Sequence, residues 1–242
     1  MKNILVIEPF EFDREYLSRI VTRLGYGCRS SDSAESAYET MAEERPDLVI
    51  CGDGFPGDKE YHVCQLIKGN PVFTRIPIVM VHSDSGEASR TRAMEAGCTD
   101  FISKPIRIRP LFQCLEEILS GSRRKHIRAA MTFPVSVTTE GETFGLESTS
   151  FGEGGMYLRS DSPWDRGTCM DLQFSLPRLD RNIKLPGEVV YSTSIPTQES
   201  PPGMGVMFTN LNDSYQSFLS VYMENHLTSR TPLGEVANAV MV

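Results

Sequence analysis

The sequence predicts an α/β unit followed by a β unit: a doubly wound parallel five-stranded sheet, then a β-barrel with a C-terminal helix. Three observations carry this reading. Up to about Leu119 short apolar runs alternate with helical patterns, the mark of βαβ units and a parallel sheet. Beyond the basic run Arg123-Arg124-Lys125-His126-Ile127-Arg128 the apolar period falls from helical spacing to two. A chain of 242 residues is also long enough to bury two separate cores.

Ile4-Leu5-Val6-Ile7 reads as a buried strand, and Leu17, Ile20, Val21 and Leu24 then recur at helical spacing until Gly25 supplies a stop. A second helix starts at Ser33 and buries Ala34, Ala37, Tyr38 and Met41. Next come the strand Leu48-Val49-Ile50-Cys51, a helix around Val63, Leu66 and Ile67, and the strand Ile78-Val79-Met80-Val81. A helix ending near Gly97, the strand Phe101-Ile102 and a helix burying Leu111, Leu115, Ile118 and Leu119 complete five rounds. In the second half Phe133, Val135 and Val137 alternate with polar residues, as does Met170-Asp171-Leu172-Gln173-Phe174-Ser175-Leu176. Met156-Tyr157-Leu158, Glu188-Val189-Val190-Tyr191 and Gly205-Val206-Met207-Phe208 are further strands. Tyr215, Phe218, Leu219, Tyr222 and Met223 form the apolar stripe of a closing helix. Domains are expected at 1–121 and 122–228, with 229–242 a flexible tail.

Composition narrows the function. A formal net charge of −8 opposes nucleic-acid binding, which needs a cationic surface. No apolar run approaches the roughly 20 residues of a membrane span, and Met1-Lys2-Asn3 leads straight into a strand, so a cytoplasmic protein without membrane insertion is expected. Cys28, Cys51, Cys64, Cys98, Cys114 and Cys169 are scattered without zinc spacing, so reduced packing cysteines and no metal are expected. No G-x-S-x-G, Walker loop or H-E-x-x-H is present, and the reading is of a protein that is not an enzyme. Trp164 reads as a packing residue.

Glu8, Pro46-Asp47-Leu48-Val49-Ile50, Phe55-Pro56-Gly57, Ile76-Pro77, Ala96-Gly97 and Lys104-Pro105 make residues 2–119 resemble the response-regulator receiver family. The resemblance implies a phosphoryl-accepting Asp after the third strand, with Mg²⁺ held by that Asp and an acidic pair after the first. A hard divalent cation needs such oxygen ligands. Here the acceptor position is Gly52, the acidic pair reads Glu8-Pro9, and His82 stands at the family's Thr/Ser position, while Lys104 matches. The site is thus a degenerate acceptor site of Glu8, Gly52, Asp53, His82 and Lys104, with no Mg²⁺ expected. Asp53 is next to the missing acceptor; strand alternation points it to the opposite face, and only a register shift would bring it into the acceptor's place. Lys104-Pro105 reads first as a structural turn and His82 as a polar strand end. The family's dimerisation face would present Arg90, Arg92, Ile106, Arg107 and Arg109 to a second copy or to an unidentified protein partner.

From Arg123 to about residue 227 the chain resembles the PilZ family, whose R-x-x-x-R and D/N-x-S-x-x-G motifs bind cyclic di-GMP. Arg124 and Arg128 complete the first motif, with Arg123 beside them, and guanidinium forks suit phosphate oxygens. The second is altered. Matching on Gly155 puts Ser150 in the Asp position and Gly152 in the Ser position, whereas placing Ser148 and Ser150 in the polar positions leaves Glu153 at the glycine. Two lost polar contacts, each worth roughly 1 kcal/mol or more, weaken binding by at least about tenfold. Gly152, Gly154 and Gly155 also read as a turn needing positive φ. The resemblance implies a bacterial signalling protein of the two-component type. Its ligand site would be Arg123, Arg124, Arg128, Ser150, Gly152 and Gly155, responsive to cyclic di-GMP and acting through protein contacts without phosphorylation. The alternative is a nucleotide-independent adaptor in which both halves are degenerate.

Overall fold

A computed structural model describes residues 1–57, 59–121, 126–179, 181–196 and 201–229. The chain divides into two compact units, Met1–Lys125 and His126–Val242. In the first unit the elements are β1 (Asn3–Ile7), α1 (Glu11–Arg23), β2 (Gly27–Ser31), α2 (Ala34–Glu43), β3 (Leu48–Gly52), α3 (Glu60–Gly69), β4 (Ile78–His82), α4 (Glu87–Glu95), β5 (Asp100–Ser103) and α5 (Ile108–Ser120). All strand pairs are parallel in the order β2-β1-β3-β4-β5. The order reverses beside β1, so the crevice at the carboxyl ends of β1 and β3 is where such a sheet places its chemistry.

Local signals set the helix ends. Ser33 Oγ accepts the Ser36 N–H at 3.2 Å to start α2, and Gly25, at φ 91°, takes the left-handed turn that follows α1. β1, β3 and β4 are buried along almost their whole length, as expected of strands covered by helices on both faces. β2 is the strand that periodicity alone does not single out. It lies at the sheet edge and reads Gly27-Cys28-Arg29-Ser30-Ser31, with only Ser31 buried.

In the second unit β6 (Arg128–Thr139), β7 (Glu142–Gly152), β8 (Gly155–Arg159), β9 (Cys169–Ser175), β10 (Asn182–Thr193) and β11 (Gly203–Phe208) close a barrel ordered β10-β11-β8-β7-β6-β9, and α6 (Asp213–Thr228) follows. Burial alternates strictly along β9 and through most of β6. Phe133, Phe151, Phe174 and Phe208 meet inside at centroid distances of 5.6–6.3 Å, and each buried ring contributes about 2 kcal/mol. Tyr222 of α6 reaches this cluster edge-on to Phe151 and donates its hydroxyl to Pro177 O at 3.1 Å. Asn212 caps α6 by accepting the Tyr215 N–H at 2.9 Å. Trp164 stands edge-on to Phe144 at 5.1 Å.

Candidate functional site

The carboxyl ends of β1 and β3 and the first turn of α1 meet the ammonium group of the lysine that follows β5. Lys104 Nζ lies 3.0 Å from Glu8 Oε2, 2.6 Å from Asp13 Oδ2 and 2.8 Å from Asp53 Oδ1. Lys104 therefore does more than shape a turn: it is the charge centre of the pocket. Glu8 is fully buried, and its Oε1 accepts the Phe10 N–H at 3.1 Å. A Cβ placed on Gly52 would fall on Glu8 Oε2 and lie 2.6 Å from its Cδ. The missing acceptor and the lengthened carboxylate are thus one packing solution, in which Glu8 lies across the place where an acceptor side chain would begin.

Asp53 does not point away. β3 ends at Gly52, so strand alternation no longer governs the next residue, and Asp53 turns back to accept the Ser83 N–H on Oδ2 at 2.6 Å while Oδ1 meets Lys104. No register shift is needed: β3 pairs Gly52 with Val81. His82 Nδ1 accepts the Asp84 N–H at 3.0 Å, and its Nε2 faces Tyr61 Oη at 3.2 Å and Glu60 Oε1 at 3.6 Å. Its ring stacks on Phe101 with centroids 5.9 Å apart.

Burial pushes the Glu8 carboxyl above the usual range despite its bonds from Phe10 and Lys104. Burial acts upward on Asp53 as well, but the hydrogen bonds from Lys104 and Ser83 outweigh it and hold Asp53 below the usual range. Burial acts downward on Lys104, and the bonds to Asp13, Asp53 and Glu8 overcome it, keeping the ammonium charged well past its ordinary pKa. These residues do not fit the Mg²⁺ of a receiver. The carboxylates of Glu8, Asp13 and Asp53 are already engaged by one ammonium, and Gly52 offers no ligand oxygen from a side chain.

In the barrel, the register of β6, β7 and β8 gathers the motif residues. Arg128 pairs with Gly152, Ala130 with Ser150, and Gly152 with Gly155, so Arg128, Gly152 and Gly155 form one cross-strand row, with Ala130, Ser150 and Tyr157 two rows along. Arg128 is exposed at the start of β6. Arg123 and Arg124 lie outside the described residues.

None of Gly152, Gly154 and Gly155 has positive φ, contrary to the turn expectation. Close approach is what excludes a side chain. A Cβ on Gly152 would lie 2.6 Å from Ile127 O and 2.7 Å from Arg128 Cγ, and one on Gly155 would collide with Val206 O. Sequence reasoning did not give Glu153 a role. Its backbone N–H donates to Ile127 O at 3.3 Å, and its buried carboxylate accepts the Ile127 N–H at 3.4 Å and lies 3.6 Å from His126 Nδ1. An acidic residue enclosed by glycines in Gly152-Glu153-Gly154-Gly155 is the signal that could have found it.

Residues 4–116 match the response regulator receiver domain family, and residues 122–225 match the PilZ domain family. The phosphate regulon transcriptional regulatory protein PhoB of Pseudomonas aeruginosa is 25% identical over 118 residues, covering 49% of this chain and 52% of that protein. The response regulator PleD of Caulobacter vibrioides is 28% identical over 103 residues, 43% of this chain and 23% of that one. The chain thus spans about half the length, or less, of these curated relatives. Among solved structures, a response regulator from Chloroflexus aurantiacus shares 25% identity at a TM-score of 0.47, over 49% of this chain and 98% of that one. A signal receiver domain of a histidine kinase from Syntrophus aciditrophicus shares 29% at 0.46, over 51% and 94%. Among the described residues no helix is long and apolar enough to cross a membrane. The chain is a response regulator receiver domain followed by a PilZ domain, two regulatory domains of signal transduction.

Proposed function

We propose that this chain is a cyclic di-GMP-responsive effector: the PilZ domain takes up the nucleotide, and the receiver domain acts through protein contacts without accepting a phosphoryl group. The observation that carries the first half is Arg128. Its guanidinium is exposed, no ion pair holds it among the described residues, and it stands in the same cross-strand row as Gly152 and Gly155. A free guanidinium beside a floor without side chains suits a phosphate oxygen. Arg123 and Arg124 of the same basic run, together with Ser150, complete the proposed binding set. Support for the second half comes from Gly52, which has no nucleophile, and from Lys104, already engaged by three carboxylates.

Isothermal titration of the full chain with cyclic di-GMP tests this. Arg128→Ala should weaken binding about 30-fold, for a loss of about 2 kcal/mol from a charge-assisted contact. Absence of heat with the unaltered chain refutes the reading.

One observation favours a second reading, a nucleotide-independent adaptor. The family's serine hydroxyl has no room at Gly152, because Ile127 O and Arg128 Cγ close over it. Recovery of a protein partner in equal yield with and without nucleotide supports that reading. The receiver face is the docking surface proposed in either case. There Arg90 donates to Asp100 Oδ1 at 3.3 Å and Arg92 lies 4.2 Å from the Tyr61 ring centroid, two cations held in place at the surface. Light scattering that returns a monomer, with no partner recovered, counts against it.

A further inference from the structure

Three of the six cysteines are buried together in the core of the receiver domain: Cys51 in β3, Cys64 in α3 and Cys98 in the connection from α4 to β5. Cys98 donates its thiol hydrogen to Cys64 Sγ across 3.4 Å. We propose that Cys64 and Cys98 are a redox modification site, closed to a disulfide by a peroxide and tying α3 to the α4–β5 connection.

The geometry favours this pair. A disulfide bond is about 2.05 Å long, so the two sulfurs have roughly 1.4 Å to close. Cys98 is 5% exposed and Cys64 is sealed, which makes Cys98 the thiol a small oxidant reaches and Cys64 the one that resolves it. Cys51 is engaged elsewhere, with its thiol directed to Gly52 O at 3.7 Å.

The steps balance. Cys98 sulfur attacks one peroxide oxygen; the S–O bond forms, the O–O bond breaks, and the departing hydroxide takes the thiol proton and leaves as water. Cys64 sulfur then attacks Cys98 sulfur; the S–S bond forms, the S–O bond breaks, and the second hydroxide leaves as water with the Cys64 proton. Two thiols are oxidised and hydrogen peroxide is reduced to two waters. The hydrogen bond to Cys64 and burial keep the Cys98 thiol protonated, with Lys68 acting weakly in the other direction, so the reaction is slow at neutral pH and accelerates as pH rises. The linked segment runs directly into β5, the strand before Lys104, so the bond stiffens one support of the carboxylate–lysine pocket.

The test uses the full chain with Cys28→Ser and Cys169→Ser, which removes the two more accessible thiols. After hydrogen peroxide treatment, intact mass should fall by two hydrogens. A digest without reductant should contain one linked peptide pair joining Cys64 to Cys98, and dithiothreitol should release it. The yield at fixed time should rise from neutral to mildly alkaline pH. Cys64→Ser should abolish the link and leave added oxygen on Cys98; if that variant does not fold, the peptide map of the parent decides alone. Oxygen added at Cys98 of the parent without a crosslink, a link through Cys51, or no reaction of the folded protein each overturns the proposal.

Discussion

Glu8 and Gly52 make a single feature from two distant positions. An ionisable side chain as deeply buried as Glu8 needs partners, and it has them: Phe10 N–H on one oxygen and Lys104 on the other. Reaching Lys104 requires the space that any residue larger than glycine would take at 52. Gly52→Ala should therefore cost about 2 kcal/mol through overpacking. In a Glu8→Ala background the same change should cost less than about 0.5 kcal/mol, because the colliding group is gone. Urea denaturation of the four proteins checks this, and an equal cost in both backgrounds refutes the packing account. The sequence made the missing nucleophile plain at Gly52. It did not reveal what fills the gap, since nothing local to residue 8 says where its carboxylate lies.

Among the elements, strands with one wet and one dry face were legible, and those without that contrast were not. β9 could be read from Met170, Leu172 and Phe174, all buried, between exposed neighbours. β7 was missed because its first four residues are exposed and its later inward positions include Ser148, a residue with no apolar signature. β2 escaped for the same reason at a sheet edge. Register between β6 and β7 then decides what the second motif can do. With Arg128 opposite Gly152, the two strands approach so closely that a hydroxymethyl group cannot enter. Gly152→Ser, the change that recreates the family residue, should destabilise the barrel by about 2 kcal/mol and should not tighten cyclic di-GMP binding. Thermal unfolding followed by nucleotide titration checks both parts; a stable variant that binds more tightly would show that the strands yield.

At the scale of the whole molecule, each unit has its own core and its own electrostatic logic. In the receiver pocket one internal positive charge, Lys104, meets Glu8, Asp13 and Asp53. Lys104→Met leaves Glu8, Asp13 and Asp53 uncompensated and should cost about 3 kcal/mol at neutral pH. The pH signs differ among the members. Asp53, held low, contributes stability above the ordinary carboxylate pKa and loses it as pH falls through its depressed folded value. Glu8, held high, acts in reverse: the cost of its buried charge is relieved as pH falls through its raised value. Lys104 contributes at all pH values below its ordinary pKa and loses this only as pH rises through its raised folded value. The Lys104→Met deficit should therefore narrow as pH falls through the raised folded value of Glu8, where that carboxylate takes up a proton. Trp164 is the only tryptophan and belongs to the barrel, so its fluorescence reports that unit alone. Far-ultraviolet dichroism should show an early receiver transition in Lys104→Met while the Trp164 transition stays in place; a shift of both would contradict independent units.

What the amino-acid order determined by itself was the succession of periods, and with it two folds in series, together with the chemical groups that are absent: no acceptor carboxylate at 52 and no hydroxyl at 152. Periodicity and missing atoms are local properties, readable wherever a strand or helix has one dry face. Only the tertiary structure decided that Lys104 neutralises carboxylates as far as 96 residues away, that Asp53 turns into the pocket, and that glycines at 152 and 155 answer to neighbouring strands rather than to their own φ angles. Charge compensation and backbone approach act between atoms brought together by folding, and sequence separation carries no record of those distances.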